Sequence, residues 1–237
     1  MVDLNSRGGA ASGEVKKKLL VLSTERSGSS LFCEVLGELK VVGECREWLN
    51  PRYLQAYAKM LGEAEVNVNQ YANFVISKTV NEAGVFALNL HIKDYHFWLE
   101  RSFDVLTMGF DLIIYVRRRD KLAQAISLAK AVKSDSWASS AKSIDETLPD
   151  NLEVVQALHH LVAQEKNYDA NLHRLVKFEY CYEEFSDLAG ATPFIEVAED
   201  LGIDIEESSL PNPSLEKQAD ISSDEVRASF LSYILGD

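Results

Sequence analysis

The sequence predicts an α/β fold with a central, mainly parallel sheet flanked by helices. Short apolar runs, typical of strands buried in a parallel sheet, alternate with longer segments whose apolar residues recur at helical spacing. A turn of small residues joins the first run to the first helical segment, which makes a strand–turn–helix unit. The 237 residues contain neither a repeat nor a Pro-rich linker, so we expect one domain over residues 15–237. Residues 1–14, polar and Gly-rich, are expected to form a disordered tail.

The first strand, turn and helix are the most regular part of the sequence. Residues 19–23 form a continuous apolar run that ends in a serine, and the turn covers residues 24–30. One face of the helix that follows consists of Leu31, Phe32, Val35, Leu36 and Leu39. Ligands of α/β folds bind beyond the carboxyl ends of the strands, so this turn lies at the edge where a ligand is expected.

Further strands and helices follow along the chain. Residues 85–92 are predicted to form the second strand and residues 111–116 the third. Asp120 is a suitable N-cap for the next helix. Residues 151–172 form a long helical stretch, and residues 175–178 are a candidate last core strand. Strands that alternate with helices in this way favour a parallel sheet.

The composition disfavours several classes of partner. The chain has 24 Lys and Arg residues against 37 Asp and Glu, a net charge of −13, which argues against binding to nucleic acid or to an anionic membrane. The apolar run at residues 19–22 is too short for a membrane span or for the core of a signal peptide. An anionic ligand must therefore be held by a basic pocket within an acidic surface.

The cysteines and histidines indicate neither disulfides nor a metal. Cys33, Cys45 and Cys181 are odd in number, widely spaced and never in a C-x-x-C pair, so a disulfide framework or a structural zinc site is not expected. The five histidines lack H-E-x-x-H or comparable ligand spacing. Reduced cysteines fit a cytoplasmic protein best, and no metal cofactor is expected.

Residues 26–30, Arg-Ser-Gly-Ser-Ser, have the composition of a loop that binds a phosphate group. A helix start presents free N–H groups and the positive end of the helix dipole, and small residues let the backbone approach an anion. Arg26 can add a charge-assisted contact. The Walker A pattern with its Lys is absent, which weakens an ATPase or GTPase interpretation. The alternative is an ordinary Ser-rich connection with a surface arginine.

A second basic segment follows the third strand. Arg118 and Arg119 lie at the end of that strand, and Ser127 lies on the next helix. An arginine and a hydroxyl together suit a phosphate monoester, because one supplies charge and the other a directional donor. The alternative is that the arginines are solvated charges and the serine is a small helix residue.

Together these segments resemble the sulfotransferases that use 3′-phosphoadenosine-5′-phosphosulfate (PAPS), most closely the bacterial trehalose 2-sulfotransferase type. Residues 20–31 look like the family's 5′-phosphosulfate loop, and residues 117–131 look like its 3′-phosphate motif. Residues 42–48 are similar to the segment with the proposed general base, which falls on Glu44. Residues 215–220 are similar to a C-terminal stretch near the cofactor. The four matches occur in family order.

The resemblance implies a P-loop-like three-layer fold, PAPS as the co-substrate, 3′,5′-ADP as the product, and no metal. The residues expected to hold the 5′-phosphosulfate are Arg26, Ser27, Gly28, Ser29 and Ser30. The 3′-phosphate is assigned to Arg118 and Ser127, with Arg119 as a substitute because its eight-residue interval to Ser127 is that of the eukaryotic cytosolic enzymes. Lys217 and Gln218 are expected near the cofactor, and Arg26 is expected to stabilise charge on the leaving phosphate.

Two residues compete for the role of general base, and Glu44 is favoured over His91. Glu44 has the family resemblance, and partial burial would raise its pKa towards neutrality. His91 lies two residues beyond Asn89, which matches the Lys-x-His spacing of cytosolic sulfotransferases except that Asn replaces Lys. Histidine also titrates near neutral pH without special surroundings. The alternatives are an ion pair between Glu44 and Arg46 and a structural role for His91.

The acceptor is expected to be a small molecule with a hydroxyl group, such as a sugar, a glycolipid or a secondary metabolite. The aromatic residues that could line its pocket are Trp48, Tyr53, Tyr95, Trp98 and Trp137, of which Trp48 and Trp137 lie nearest the motifs. Cys45 and Val226 replace the family's usual Pro and Trp. The resemblance alone implies a homodimer. A non-catalytic donor-binding protein and a small-molecule kinase remain the alternatives.

Overall fold

A computed structural model of the chain describes residues 14–135, 148–186, 191–205 and 221–236. Within these ranges, four strands form one parallel sheet in the order β2-β1-β3-β4. The strands are β1 (Lys17–Ser23), β2 (Val85–His91), β3 (Leu112–Arg117) and β4 (Phe178–Cys181). The predicted α/β fold with a parallel sheet is confirmed.

Helices precede and follow the strands. They are α1 (Ser29–Glu38), α2 (Pro51–Leu61), α3 (Val68–Thr79), α4 (Ile92–Leu99), α5 (Lys121–Ser134), α6 (Asn151–Asn171), α7 (Tyr182–Phe185), α8 (Thr192–Leu201) and α9 (Ile221–Leu235). Short 3₁₀ turns lie at Val105–Met108 and His173–Leu175. The predicted cap Asp120 accepts a hydrogen bond from the Ala123 N–H at 2.9 Å, which starts α5 directly after β3.

The sheet is covered by helices on both faces, so the fold has three layers. Along β1, Leu19 and Val21 pack with residues of α1 and α8, whereas Leu20 and Leu22 pack with residues of α3, α4 and α6. Alternate residues of a strand point to opposite faces, and a strand buried on both faces is continuously apolar. A third apolar cluster joins α5, α6 and α9, and Val226, which replaces the family's Trp, is buried there.

The prediction of a last strand at residues 175–178 was wrong in position. His173–Leu175 forms a 3₁₀ turn, and β4 begins at Phe178. Within the described residues β4 is an edge strand that pairs with β3 alone, and its Glu179 is partly exposed and accepts a hydrogen bond from Tyr168 Oη at 2.6 Å. The apolar-run criterion finds central strands and misplaces an edge strand that alternates polar and apolar residues. The expected tail lies outside the described residues except for Glu14.

Residues 43–47 run alongside the outer edge of β2. The Gly43 N–H donates to the Val85 carbonyl at 3.1 Å, and the Asn89 N–H donates to the Arg46 carbonyl at 3.1 Å. Arg46 forms an isolated parallel bridge with Leu88. The segment therefore reaches the carboxyl end of β2 in a fixed register, close to His91, the last residue of that strand.

We expect Gly43→Ala to destabilise the protein by about 1–3 kcal/mol, because a Cβ there would lie 1.6 Å from the Thr79 carbonyl oxygen and force the backbone apart. Gly37→Ala is the matched control: the atom nearest to its Cβ would be 4.0 Å away, and a helical Ala should stabilise by about 0.5–1 kcal/mol. Urea denaturation of both variants measures the difference. Equal effects of the two substitutions would contradict the tight register of residues 43–47.

Candidate active site

The turn between β1 and α1 has a backbone that places small residues against the sheet edge. Arg26 and Gly28 have left-handed backbone conformations, with φ of 60° and 92°. A Cβ on Gly28 would lie 2.3 Å from the ring of Tyr182, so only glycine fits. The first N–H groups of α1, which lack partners within the helix, begin directly after this glycine.

Two sequence motifs that are far apart along the chain meet at this turn. Arg26 Nε donates a hydrogen bond to Ser127 Oγ at 2.9 Å, across 101 residues. Arg118 lies close enough for its positive charge to act on Arg26, and burial together with that charge lowers the pKa of the Arg26 guanidinium. Two cations held together in a partly buried place repel each other, and an anion between them relieves the repulsion.

Two buried donors at this place lack a partner among the described residues. Ser27 Oγ and Arg118 Nε are both buried without a hydrogen bond there. Leaving such a group unsatisfied costs about 1–3 kcal/mol, more for a charged one. The Tyr182 ring lies 4.9 Å from Arg118 Cζ and holds the guanidinium in place. The arginine pair, the two donors and the glycine turn therefore fit a phosphate-type anion.

Asn89 connects three elements of the site. Ser23 Oγ at the end of β1 donates to Asn89 Oδ1 at 3.0 Å, and Asn89 Nδ2 donates to Ser29 Oγ at 3.1 Å. Asn89 is buried and uncharged. Similar sulfotransferases carry a Lys at this position, so Asn89 adds no positive charge here. Its hydrogen bonds instead connect the first residue of α1 to the ends of β1 and β2.

A cluster of titratable side chains lies at the carboxyl end of β2. Buried His91 has Nε2 at 3.5 Å from Glu47 Oε1 and Nδ1 at 3.8 Å from Asp94 Oδ2. Burial raises the pKa of the Asp94 carboxyl. The Glu47 carboxylate also acts on Arg26, because its negative charge favours the protonated guanidinium. Glu47 is thus in contact with His91 and close enough to the arginine of the turn for their charges to interact.

Glu44, the carboxylate favoured from the sequence, pairs with Arg46 instead of joining this cluster. Its side chain is exposed, and Arg46 Nη2 lies 2.7 Å from its Oε1. Sequence reasoning missed Glu47, three residues later in the same segment. Glu44 and Arg46 are exposed whereas Cys45 is buried and Glu47 is half-buried. That alternation is typical of an extended segment beside a strand, and it becomes visible only once the register of the segment against β2 is known.

Comparison with known proteins identifies the family of this chain. The family model described as Stf0 sulphotransferase matches residues 18–230. The chain belongs to the Stf0 sulphotransferase family. The match spans the turn at Arg26, the segment of Arg118 and Ser127, and the segment of Glu47, and it supports a sulfotransferase activity. A search of curated proteins finds no match.

The remaining predicted residues of this Stf0 sulfotransferase lie in different surroundings. Arg119 is exposed, its side chain is paired with Glu184, and its backbone N–H donates to Glu183 at 3.1 Å. Ser30 is exposed in the first turn of α1. Trp137, Lys217 and Gln218 lie outside the described residues.

Most of the candidate aromatic residues belong to the core of the sulfotransferase. Trp48, Tyr95 and Trp98 are buried in the cluster on one face of the sheet. Trp48 Nε1 donates to the Glu44 carbonyl at 2.8 Å. Of the four candidate aromatic residues that the structure describes, Tyr53 is the most exposed. Its ring centre lies 5.3 Å from that of Trp48.

A buried polar network behind the turn was not expected from the sequence. The Glu25 side chain is only 3% exposed, and its carboxylate is paired with Lys93 Nζ. It also contacts His160 Nε2 at 3.1 Å and accepts a hydrogen bond from Gln164 Nε2 at 2.7 Å. Burial raises the pKa of Glu25, but the His160 contact and the charges of His91 and Lys93 outweigh burial and hold that pKa well below its ordinary value.

Gln124 ties the same turn to α5. Its Nε2 donates to Thr24 Oγ1 at 2.9 Å and to the Glu25 carbonyl at 2.7 Å. The turn is therefore held by side chains from α4, α5 and α6 at once, which fixes the unusual backbone at Arg26.

None of the helices in the described ranges combines the length and the apolar character that a membrane crossing requires. In the same ranges, no three His, Cys, Asp or Glu side chains are grouped to hold a metal ion.

We expect Glu25→Gln to destabilise the protein by about 1–3 kcal/mol at neutral pH, because three partners lose a buried carboxylate. The folded-state pKa is lowered, so this stabilisation is present above the ordinary pKa of 4.5 and is lost as the pH falls towards the folded value. Urea denaturation at neutral pH and at about pH 3 measures the difference between wild type and variant, which should shrink at the lower pH.

Glu44→Gln is the control for that experiment, since Glu44 is exposed and its substitution should change stability by less than about 0.5 kcal/mol. A Glu25→Gln variant as stable as Glu44→Gln at neutral pH would show that the network does not hold the turn.

Proposed function

We propose that this protein transfers the sulfonate group of PAPS to a hydroxyl of a small acceptor and releases 3′,5′-ADP. The observation that carries the proposal is the contact between Arg26 and Ser127. It joins the segment expected to hold the 5′-phosphosulfate to the segment expected to hold the 3′-phosphate. Membership of the Stf0 sulphotransferase family supports the same chemistry.

The donor would be held by three sets of groups. The first N–H groups of α1, Ser27 Oγ and Arg26 suit the 5′-phosphosulfate. Arg118 suits the 3′-phosphate better than Arg119 does, because Arg119 is exposed and already paired with Glu184. Lys217 and Gln218 stay predicted contacts from the sequence. Ser127 links the two halves through its hydrogen bond with Arg26.

The bound donor supplies the sulfonate; the protein positions it and stabilises charge. The acceptor oxygen forms a bond to sulfur while the bond from sulfur to the phosphate oxygen breaks, and the acceptor proton passes to a base on the protein. Arg26 and the N-terminus of α1 lie where negative charge develops on the leaving phosphate. Because Glu25 and Gln124 fix the turn from behind, little reorganisation is needed during the reaction.

Glu47 is the favoured base. Its carboxylate lies near Arg26 and 3.5 Å from His91, whereas the Glu44 carboxylate is exposed and ion-paired. His91 is the second candidate, since it lies at the strand end beside Glu47 and is itself flanked by Asp94. Glu44, which the sequence favoured, becomes the third. General bases contribute about 10²–10⁴-fold to such a reaction.

A non-catalytic donor-binding protein is the second candidate function. The observation that favours it is Asn89, whose buried amide occupies the place of a catalytic cation without providing charge. Such a protein would bind 3′,5′-ADP yet transfer no sulfonate. The kinase alternative has less support, because the turn contains no Walker A lysine.

We expect 3′,5′-ADP to bind more tightly than 5′-AMP or ATP, because Arg118 and Ser127 would contact the 3′-phosphate. Arg118→Ala should weaken binding of 3′,5′-ADP by about 10–100-fold, as loss of a charge-assisted contact does. Calorimetric titration of the purified protein measures these affinities. Arg119→Ala is the matched control and should bind almost as wild type does, since Arg119 pairs with Glu184. Equal affinity for 3′,5′-ADP and 5′-AMP would exclude the proposed donor.

Glu47→Gln should lower kcat by about 10²–10⁴-fold while affinity for 3′,5′-ADP stays near that of wild type. The assay uses labelled PAPS with an acceptor identified by screening sugars and phenols. Glu44→Gln, from the same segment, should retain most of the activity. If Glu44→Gln is the inactive variant instead, the assignment of the base to Glu47 fails. Inactivity of every protein, wild type included, with tight 3′,5′-ADP binding would favour the non-catalytic function.

A further inference from the structure

Two cysteines that are 12 residues apart in the sequence have adjacent thiols. Cys33 lies on α1 and Cys45 lies in the segment beside β2, and their Sγ atoms are 2.8 Å apart. Both side chains are buried, at 2% and 9% exposure. Cys181, at the end of β4, is the third free thiol. Sequence spacing gave no reason to expect a pair, because the contact is made by tertiary packing.

We propose that Cys33 and Cys45 form a reversible intramolecular disulfide when the protein is exposed to a peroxide. A disulfide has a sulfur–sulfur distance of about 2.0 Å, so the sulfurs need to approach by less than about 1 Å. Both backbones are anchored: α1 packs in the core, and the segment of Cys45 is hydrogen-bonded to β2 on either side, at Gly43 and Arg46. The anchoring keeps the two thiols together and makes their reaction with each other effectively intramolecular.

The chemistry balances with hydrogen peroxide as the oxidant. Cys45, the more exposed thiol, attacks one peroxide oxygen, the O–O bond breaks, and Cys45 sulfenic acid and water result. Cys33 then attacks the Cys45 sulfur, the S–S bond forms, the S–O bond breaks, and the hydroxide leaves with the Cys33 proton as a second water. Two thiols are oxidised and one peroxide is reduced to two waters. A small-molecule thiol reverses the bond by exchange.

The burial of Cys33 fits the role of the second, resolving thiol. Burial and the neighbouring Cys45 raise the pKa of the Cys33 thiol, which keeps it protonated and slow to react with peroxide directly.

The bond would join two parts of the site described above. Cys33 lies four residues after Ser29 at the start of α1, and Cys45 lies two residues before Glu47. The disulfide would therefore fix the helix behind the turn to the segment that carries Glu47. The bond would also close a loop between residues 33 and 45 in the unfolded chain. This lowers the conformational entropy of the unfolded state and so stabilises the folded state. This inference does not depend on the proposed sulfonate transfer.

The test treats the full-length protein with hydrogen peroxide and follows it by intact mass, peptide mapping and thermal unfolding. We expect the loss of two hydrogen atoms, a cross-linked peptide containing Cys33 and Cys45, and a rise in Tm of about 5–10 °C. A thiol reductant should reverse all three changes. Thiol titration of the unfolded protein should fall from three free thiols to one.

Three variants serve as controls. Cys181→Ser should form the same cross-link. Cys33→Ser should gain oxygen at Cys45 in place of losing hydrogen, whereas in Cys45→Ser the remaining Cys33 should react with peroxide much more slowly. If either of the last two fails to fold, the wild-type peptide map alone decides. Peroxide-treated wild type in which Cys33 and Cys45 remain separate thiols, or carry sulfinic acid without a cross-link, would overturn the proposal.

Discussion

Two positive side chains, Arg26 and Arg118, are held next to each other at the carboxyl edge of the sheet, and much of the surrounding structure serves to keep them there. Burial and the charge of Arg118 both disfavour the protonated form of Arg26. Ser127 fixes Arg26 from α5, and the ring of Tyr182 supports Arg118 from α7. Sites that bind anions typically hold positive side chains close together before the ligand arrives. The free energy needed to bring these charges together is then supplied by folding and not by ligand binding.

The supports of this pair are of two kinds. Glu25 supplies a buried negative charge directly before Arg26, and its partners come from α4 and α6. Asn89 supplies neutral hydrogen bonds that link the ends of β1 and β2 to the start of α1. The charged support sets the electrostatics of the turn, and the neutral one sets its geometry. A lysine at position 89 would add charge but could not accept the Ser23 hydrogen bond.

The sequence predicted those parts of the site that are local patterns. The turn before α1 and the arginines after β3 are short segments whose residue types reveal their chemistry. Glu25 was passed over because its partners, such as His160, come from distant helices that only packing brings together. Glu47 was missed because its direction depends on the register of residues 43–47 against β2, which a single sequence does not reveal. Strand β4 was misplaced for a related reason: an edge strand carries a weaker apolar signal.

The placement of the arginine pair inside an acidic protein has a consequence for the effect of salt. A chain with a net charge of −13 repels a polyanionic ligand at long range, and ions screen that repulsion over a Debye length of about 10 Å. The contacts at Arg26 and Arg118 are shorter and partly shielded from solvent, so salt weakens them less. Moderate ionic strength should therefore speed the approach of the ligand more than it loosens the bound state, the reverse of the behaviour of nucleic-acid-binding proteins with exposed basic surfaces.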